Sequence, residues 1–228
     1  MNKAKWIIFA LVVVAVFGGI IWLGKGDETK FTGDAAKIIT EGPISDHVRG
    51  TDAQKVTLIE YGDFQCPGCG RMYQTVHDVT DQYKDKVTFI FRNLPLTNIH
   101  PNALAASTAA EAAGKQGKFF EMHDMLYSTQ DSWSAASISE RGQIFENYAQ
   151  QLGLNIDQFK KDLTSKDITD KINRDIATGK GTFKANATPT FILNGQKIDE
   201  KTAVDAAAFT KAIEDAVKNA YPDKQPQQ

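Results

Sequence analysis

Val56-Thr-Leu-Ile-Glu-Tyr-Gly-Asp-Phe-Gln-Cys-Pro-Gly-Cys69 is the stretch on which the fold turns. Its opening residues, 56–61, form a short and largely apolar run, compatible with a strand buried on both faces. Beyond Cys69, the apolar residues Met72, Tyr73, Val76, Val79 and Tyr83 recur at helical spacing. Val87-Thr-Phe-Ile-Phe91 then reads as a second strand. Strand, helix and strand within some 36 residues predict a βαβ unit with parallel strands and a right-handed crossover.

That placement gives the cysteines a chemistry. Cys66 falls at or just before the first turn of the helix, where free backbone N–H groups and the positive helix end face its sulfur. Such a field favours thiolate over thiol and lowers the pKa from its reference of about 8.5. Pro67 suits the first helical position, because its missing N–H would have had no intrahelical partner. Cys69 follows by three residues, so both sulfurs lie on one side of the turn and can join. The expectation is an exposed, acidic Cys66 that attacks and a more buried Cys69 that resolves, by thiolate attack on a disulfide sulfur.

Downstream the chain turns helical. Residues 102–114 are alanine-rich, and 118–127, 140–152, 156–163 and 168–178 also fit short amphipathic helices. Thr190-Phe-Ile-Leu193 reads as a strand, Asn194-Gly195 as a type I′ turn, and residues 196–198 as the returning strand. A last helix is expected over 204–220, with Phe209, Ala212, Ile213, Ala216 and Val217 on one face. The order βαβ, helices, ββα is α/β with a helical insertion over about residues 101–179.

Upstream, residues 6–23 (WIIFALVVVAVFGGIIWL) run for 18 residues without a charge. At helical rise that is about 27 Å, close to a bilayer's hydrocarbon core. Trp6 and Trp22 stand at its ends and Lys3 and Lys5 precede it, so residues 1–5 are expected in the cytoplasm and the rest outside. A cleaved signal peptide is the rival reading, but the apolar run is long and no small-x-small site follows it. Residues 24–36 read as a linker, 37–221 as the folded domain and 222–228 as a polar tail. The 228-residue chain has a net charge of −2, so nucleic acid is not an expected partner. With only two cysteines in the sequence, no disulfide scaffold is open to it.

Segment 56–69 resembles the active-site strand and loop of DsbA-type thiol-disulfide oxidoreductases, which have a thioredoxin fold. Ala105–Tyr127 (AASTAAEAAGKQGKFFEMHDMLY) and Tyr148–Leu163 (YAQQLGLNIDQFKKDL) are similar to that family's helical insertion. Ala187-Thr-Pro-Thr-Phe-Ile-Leu-Asn-Gly195 resembles its cis-proline loop and hairpin, and the similarity spans about residues 40–220. The resemblance implies a thioredoxin fold, with Cys66 as nucleophile, Cys69 as resolving cysteine and a cis Thr188–Pro189 bond. Thr188 would then offer its backbone to a substrate peptide as an added strand. Pro67 and Gly68 complete the substrate-facing set, and Glu60 becomes a buried acid that relays a proton to Cys69. No cofactor and no metal are implied. The function implied is the introduction of disulfides into exported proteins, by a bacterial single-pass membrane protein whose catalytic domain is extracytoplasmic. The implied partners are exported proteins with thiols and a quinone-coupled membrane protein that reoxidises the pair. A monomer is the default, since nothing marks a dimerisation element.

Other readings stand beside these. A lone CxxC could be half of a zinc site, yet structural zinc needs four ligands and the four histidines show no paired spacing. Pro189 by sequence physics alone only pushes Thr188 toward extended geometry. Glu60 could be solvated on a sheet edge, or Arg92 at the end of the second strand could pair with it and oppose a raised pKa. Gly68 departs from the best-known pattern, which has histidine before the second cysteine, and this predicts a less acidic Cys66 and a weaker oxidant. A reductase or isomerase, or a module that binds peptides or copper(I), would use the same scaffold.

Overall fold

The computed structural model describes residues 34–51 and 54–222. The expected anchor at 6–23 lies outside them, as do the stub, most of the linker and the tail from 223. Among the described residues no helix is long and apolar enough to cross a membrane.

A three-residue strand, β1 (His47–Arg49), precedes the expected βαβ unit, which consists of β2 (Val56–Gly62), α1 (Pro67–Gln82) and β3 (Val87–Asn93). β2 and β3 are parallel, with Leu58 opposite Phe89, Glu60 opposite Phe91 and Tyr61 opposite Arg92. Six helices follow: α2 (Ala103–Gly114), α3 (Phe119–Ser128), α4 (Gln130–Trp133), α5 (Ile138–Gln151), α6 (Ile156–Asp162) and α7 (Lys166–Thr182). The chain then returns to the sheet through β4 (Thr190–Leu193) and β5 (Gln196–Lys197), and ends in α8 (Glu200–Ala203) and α9 (Ala206–Ala220). The sheet order is β1-β3-β2-β4-β5, which leaves β2 central, parallel to β3 and antiparallel to β4.

A central strand covered on both faces must be apolar on both, which is why β2 shows no alternation. Leu58, Phe89, Phe91 and Phe191 face the larger core with Met72 and Val76 of α1 and Phe209 and Ile213 of α9. Ile59, Tyr61, Ile90 and Ile192 face the other, smaller core. Each such side chain contributes about 1.5–3 kcal/mol of transfer free energy, so the sheet is the rigid base on which the α1 mouth is held.

Several boundaries differ from the sequence reading for identifiable reasons. The expected helix at 168–178 runs on through Gly179 and Gly181 to Thr182. Gly179 is not a breaker there but a contact point, because a Cβ on it would stand 2.8 Å from the Tyr61 ring. The expected helix at 204–220 begins two residues later, because Asp205 caps α9 by accepting from the Ala208 N–H at 2.9 Å. Val204 is thereby left 57% exposed between the four-residue α8 and the start of α9. The hairpin turn is as expected, with φ of 50° at Asn194 and 82° at Gly195. β1 and α4 have no counterpart in the sequence reading. The fold also takes in Ala35, assigned there to the linker, which is buried beneath Arg92 and gives it a carbonyl.

Candidate active site

Cys66 occupies the N-cap of α1 in extended conformation (φ −68°, ψ 121°) with Pro67 as the first helical residue. No acidic side chain lies in the first turn to compete for its free N–H groups. The Cys66 N–H donates to the Asp63 carbonyl at 3.0 Å, which closes the loop from β2 onto the helix. Across the mouth of α1, the Thr188–Pro189 peptide is cis, and the Cys66 thiol donates to the Thr188 carbonyl at 3.3 Å. Gly68 completes the contact: a Cβ there would lie 3.3 Å from Pro189 Cδ and 3.5 Å from Cys66 Sγ. The Thr188 hydroxyl is buried at the same place, makes no hydrogen bond of good geometry among the described residues, and helps to lower the Cys66 thiol.

The two thiols titrate apart. A hydrogen bond from the Cys69 thiol, with the Cys69 and Gly68 backbone N–H groups, brings Cys66 down to about 5 against the opposing effect of burial. Burial pushes Cys69 well above the ordinary thiol range, and its hydrogen bond to Cys66 and the charge of Glu60 add to the rise. Cys66 is less open than expected, at 8% exposure, while Cys69 is wholly enclosed. Glu60 is buried in the sheet rather than solvated at an edge, and burial, aided by the negative charge of Cys66, raises it to about 8.

Arg92 does not pair with Glu60. Alternation along β3 sends Arg92 to the face of its register partner Tyr61, whereas Glu60 opposes Phe91 on the other face. There Arg92 Nη2 meets Asp46 Oδ2 at 2.7 Å and its Nη1 donates to the Tyr61 hydroxyl at 2.8 Å. Among the described residues Glu60 therefore has no cation to hold it ionised, and the rise that Arg92 would have opposed stands.

The loop before the cysteines is held by residues that the sequence reading did not single out. Asp63, fully buried, accepts from the N–H groups of Gln65 and Leu96 at 2.8 Å each and lies 2.7 Å from His100 Nδ1. Gln65 Nε2 donates to the Ser134 carbonyl at 2.7 Å, and its Oε1 accepts from the Asn102 N–H at 2.5 Å. Gln130 Nε2 donates to the carbonyls of Phe64 and Cys66 at 2.7 and 3.0 Å. The only local signal for any of them is the acid Asp63 just past a buried strand; Gln130 is distant in sequence and unmarked. The remaining histidines pack or pair with other side chains, His47 on Phe119 and Glu111, His77 beside Asp78 and His123 within an aromatic cluster. Among the described residues no three metal-ligating side chains gather in one place.

Known proteins share this fold. A family model described as Thioredoxin matches residues 43–215. Wolbachia pipientis alpha-DsbA1 superposes with a TM-score of 0.66 at 22% identity, covering 79% of this chain and 94% of that one. BdbD from Bacillus subtilis superposes at 0.65 with 21% identity over 76% and 93% of the two chains. In sequence, a protein of Salinispora arenicola named Na(+)/H(+) antiporter NhaA 1 is 36% identical over 186 residues, 81% of this chain. The chain spans only 27% of that relative's length, and likewise 27% of the NhaA of Herminiimonas arsenicoxydans, which is 31% identical over 180 residues. The chain belongs to this thioredoxin family, and its fold is DsbA-like.

Proposed function

We propose that this thioredoxin-family chain is an extracytoplasmic protein dithiol–disulfide oxidoreductase that introduces disulfides into exported proteins. The observation that carries the reading is the split pair at the mouth of α1, with Cys66 lowered to about 5 and Cys69 raised, beside the Thr188 carbonyl. A mixed disulfide from which Cys66 departs as a stable thiolate is readily resolved by a second substrate thiol, which suits a donor of disulfides.

In the reaction a substrate thiolate attacks Cys66 Sγ, the Cys66–Cys69 bond breaks, and its electron pair leaves on Cys69. Glu60, protonated at neutral pH, supplies the proton that neutralises Cys69. A second substrate thiolate then attacks the substrate sulfur of the mixed disulfide and releases Cys66 as thiolate. The substrate ends oxidised and the protein reduced by the same two electrons. Thr188 and Pro189 hold the substrate backbone alongside, with Pro67 and Gly68 forming the rest of the rim.

The apolar run at 6–23 supports a single membrane anchor with an inward N-terminus, and relatives named as Na(+)/H(+) antiporters support a membrane setting. A quinone-coupled membrane protein would return the pair to its disulfide, and the domain would act as a monomer. A reductase is the second reading, favoured by Gly68, whose position lacks a side chain to stabilise the thiolate further. The reduction potential separates the two: a value of about −180 to −210 mV or above marks an oxidase, and one near −270 mV a reductase. In cells, Cys69→Ala should accumulate mixed disulfides through Cys66 with exported proteins. If no such adducts form with a properly folded variant, exchange with proteins is not its activity.

A further inference from the structure

The Tyr127 hydroxyl is buried and makes no hydrogen bond of good geometry among the described residues, although the Cys69 thiol is near enough to act on it. Buried donors are almost always well paired, so one left with only a poor contact to a protonated thiol points to a stronger acceptor in another state. Its position is fixed on several sides. α3 carries Tyr127 one turn beyond His123, whose ring meets it edge-on at 5.0 Å, while Phe64 lies at 5.0 Å and Tyr73 stacks at 5.5 Å. Against the sheet it meets Gly62, where a Cβ would stand 2.9 Å from the hydroxyl and closer still to the Phe91 ring. Glycine at 62 is what lets the phenol approach the strand. Gly62 and Glu60 are two residues apart on β2 and share the face that α1 and Cys69 cover.

The ionisable groups around the hydroxyl are Glu60 from β2, Asp63 from the loop, Cys69 and Tyr73 from α1, and His123 from its own helix. None is a cation at neutral pH, because burial holds His123 neutral. Burial, then the negative charge that Cys69, Glu60 and Asp63 each carry when ionised, keep the Tyr127 phenol protonated well above its ordinary range.

Resting on the exchange reaction proposed above, we propose that Tyr127 takes part in it as the hydrogen-bond donor that receives the Cys69 sulfur while that sulfur is negatively charged. When the Cys66–Cys69 bond breaks, the electron pair arrives on Cys69 before the Glu60 proton does. The Tyr127 O–H donates to that thiolate and keeps its own proton. In reverse, Cys69 gives its proton to the Glu60 carboxylate, attacks Cys66 Sγ of a mixed disulfide, and the substrate thiolate departs. One donor thus serves both directions, so its loss slows both and leaves their ratio unchanged.

Tyr127→Phe keeps the ring and removes the donor. From a Cys66–glutathione mixed disulfide, glutathione release measures the Cys69 attack directly. It should slow about tenfold at pH 7, the effect of one charge-assisted hydrogen bond. The equilibrium constant with glutathione should stay within twofold and the Cys66 alkylation profile should not move. Equal release rates in wild type and variant overturn the inference. So does a slowed rate accompanied by an altered Cys66 profile, which marks a packing role. A wild-type chain that releases no glutathione overturns the functional reading, and this inference with it. If Tyr127→Phe fails to fold, a difluorotyrosine at 127, a more acidic phenol of nearly the same shape, should speed release; an unchanged rate overturns the proposal.

Discussion

Glu60 and Asp46 are both carboxylates enclosed by the protein, yet the two regions treat them oppositely. Asp46 lies with Arg92 and Lys171, and although burial works to raise it, Lys171 and Arg92 hold it below the usual carboxylate range. Glu60, on the other face of the same sheet, has no cation and rises to about 8. Burial alone therefore does not decide the charge of an interior acid; the partner does. Asp46 is a fixed anion that ties residues 35–46 to β3 and α7. Glu60 is an acid that can change state near neutral pH, beside a thiol that must gain and lose a proton.

The comparison breaks most visibly at Asp46. Asp46→Asn leaves Arg92 and Lys171 buried without their shared anion and should cost about 3–5 kcal/mol in denaturant unfolding. A midpoint unchanged from wild type would show that the cations are compensated elsewhere. Glu60→Gln should act in the opposite direction. A carboxyl raised in the folded state costs nothing below its unfolded pKa near 4.5, and it costs progressively more as pH rises toward 8. The substitution should therefore stabilise the protein by about 3 kcal/mol at pH 7, at ~1.4 kcal/mol per unit, and by almost nothing at pH 4. Thermal melts across that range would show it, and a difference independent of pH would rule it out. The same variant should slow Cys69 protonation and hence exchange at pH 7.

Cys66 supplies a matching redox-dependent term. Its lowered pKa stabilises the dithiol form increasingly as pH rises from about 5 toward 9, whereas the disulfide form has no such group. The gap in melting temperature between reduced and oxidised protein should move in favour of the reduced form over that window. The smallest effect is expected from giving the uncompensated side a cation. Gly68→His places an imidazole beside Cys66, with Pro189 Cδ 3.3 Å from its Cβ and needing to yield slightly. It should lower the Cys66 alkylation midpoint and shift the glutathione equilibrium about tenfold toward the oxidant side, ~1.4 kcal/mol. An unmoved midpoint would show that the Cys69 and backbone donors already saturate the thiolate.

What was legible in the sequence was local. The βαβ unit, the cysteines at its helix mouth, the Asn194-Gly195 turn and the Thr188-Pro189 loop each rest on residues adjacent in the chain. What was not legible depends on distance. Arg92 finds Asp46 across 46 residues of sequence, and only the register of β3 shows that Glu60 is out of its reach. Tyr127 and Gln130 belong to helices whose apolar periodicity describes a core and says nothing of where one hydroxyl or amide ends. Gly179 reads as a helix breaker because the Tyr61 ring that calls for it lies in another element. β1 and α4, at three and four residues, are too short for any period to register.

The polar stitches that tie the insertion to the cysteine loop and hold the insertion's own turn at 133–136 end mostly on main-chain oxygens. Gln65 reaches the Ser134 carbonyl, Asn102 the carbonyls of Trp133, Ser134 and Ala136, and Gln130 those of Phe64 and Cys66. A carbonyl is present whatever side chain its residue carries. The outward side chains at Ser134, Ala135, Ala136 and Ile138 are thus free to drift without disturbing the sulfur chemistry. The surface of this turn can therefore change in composition while the reactive centre beneath it keeps its geometry.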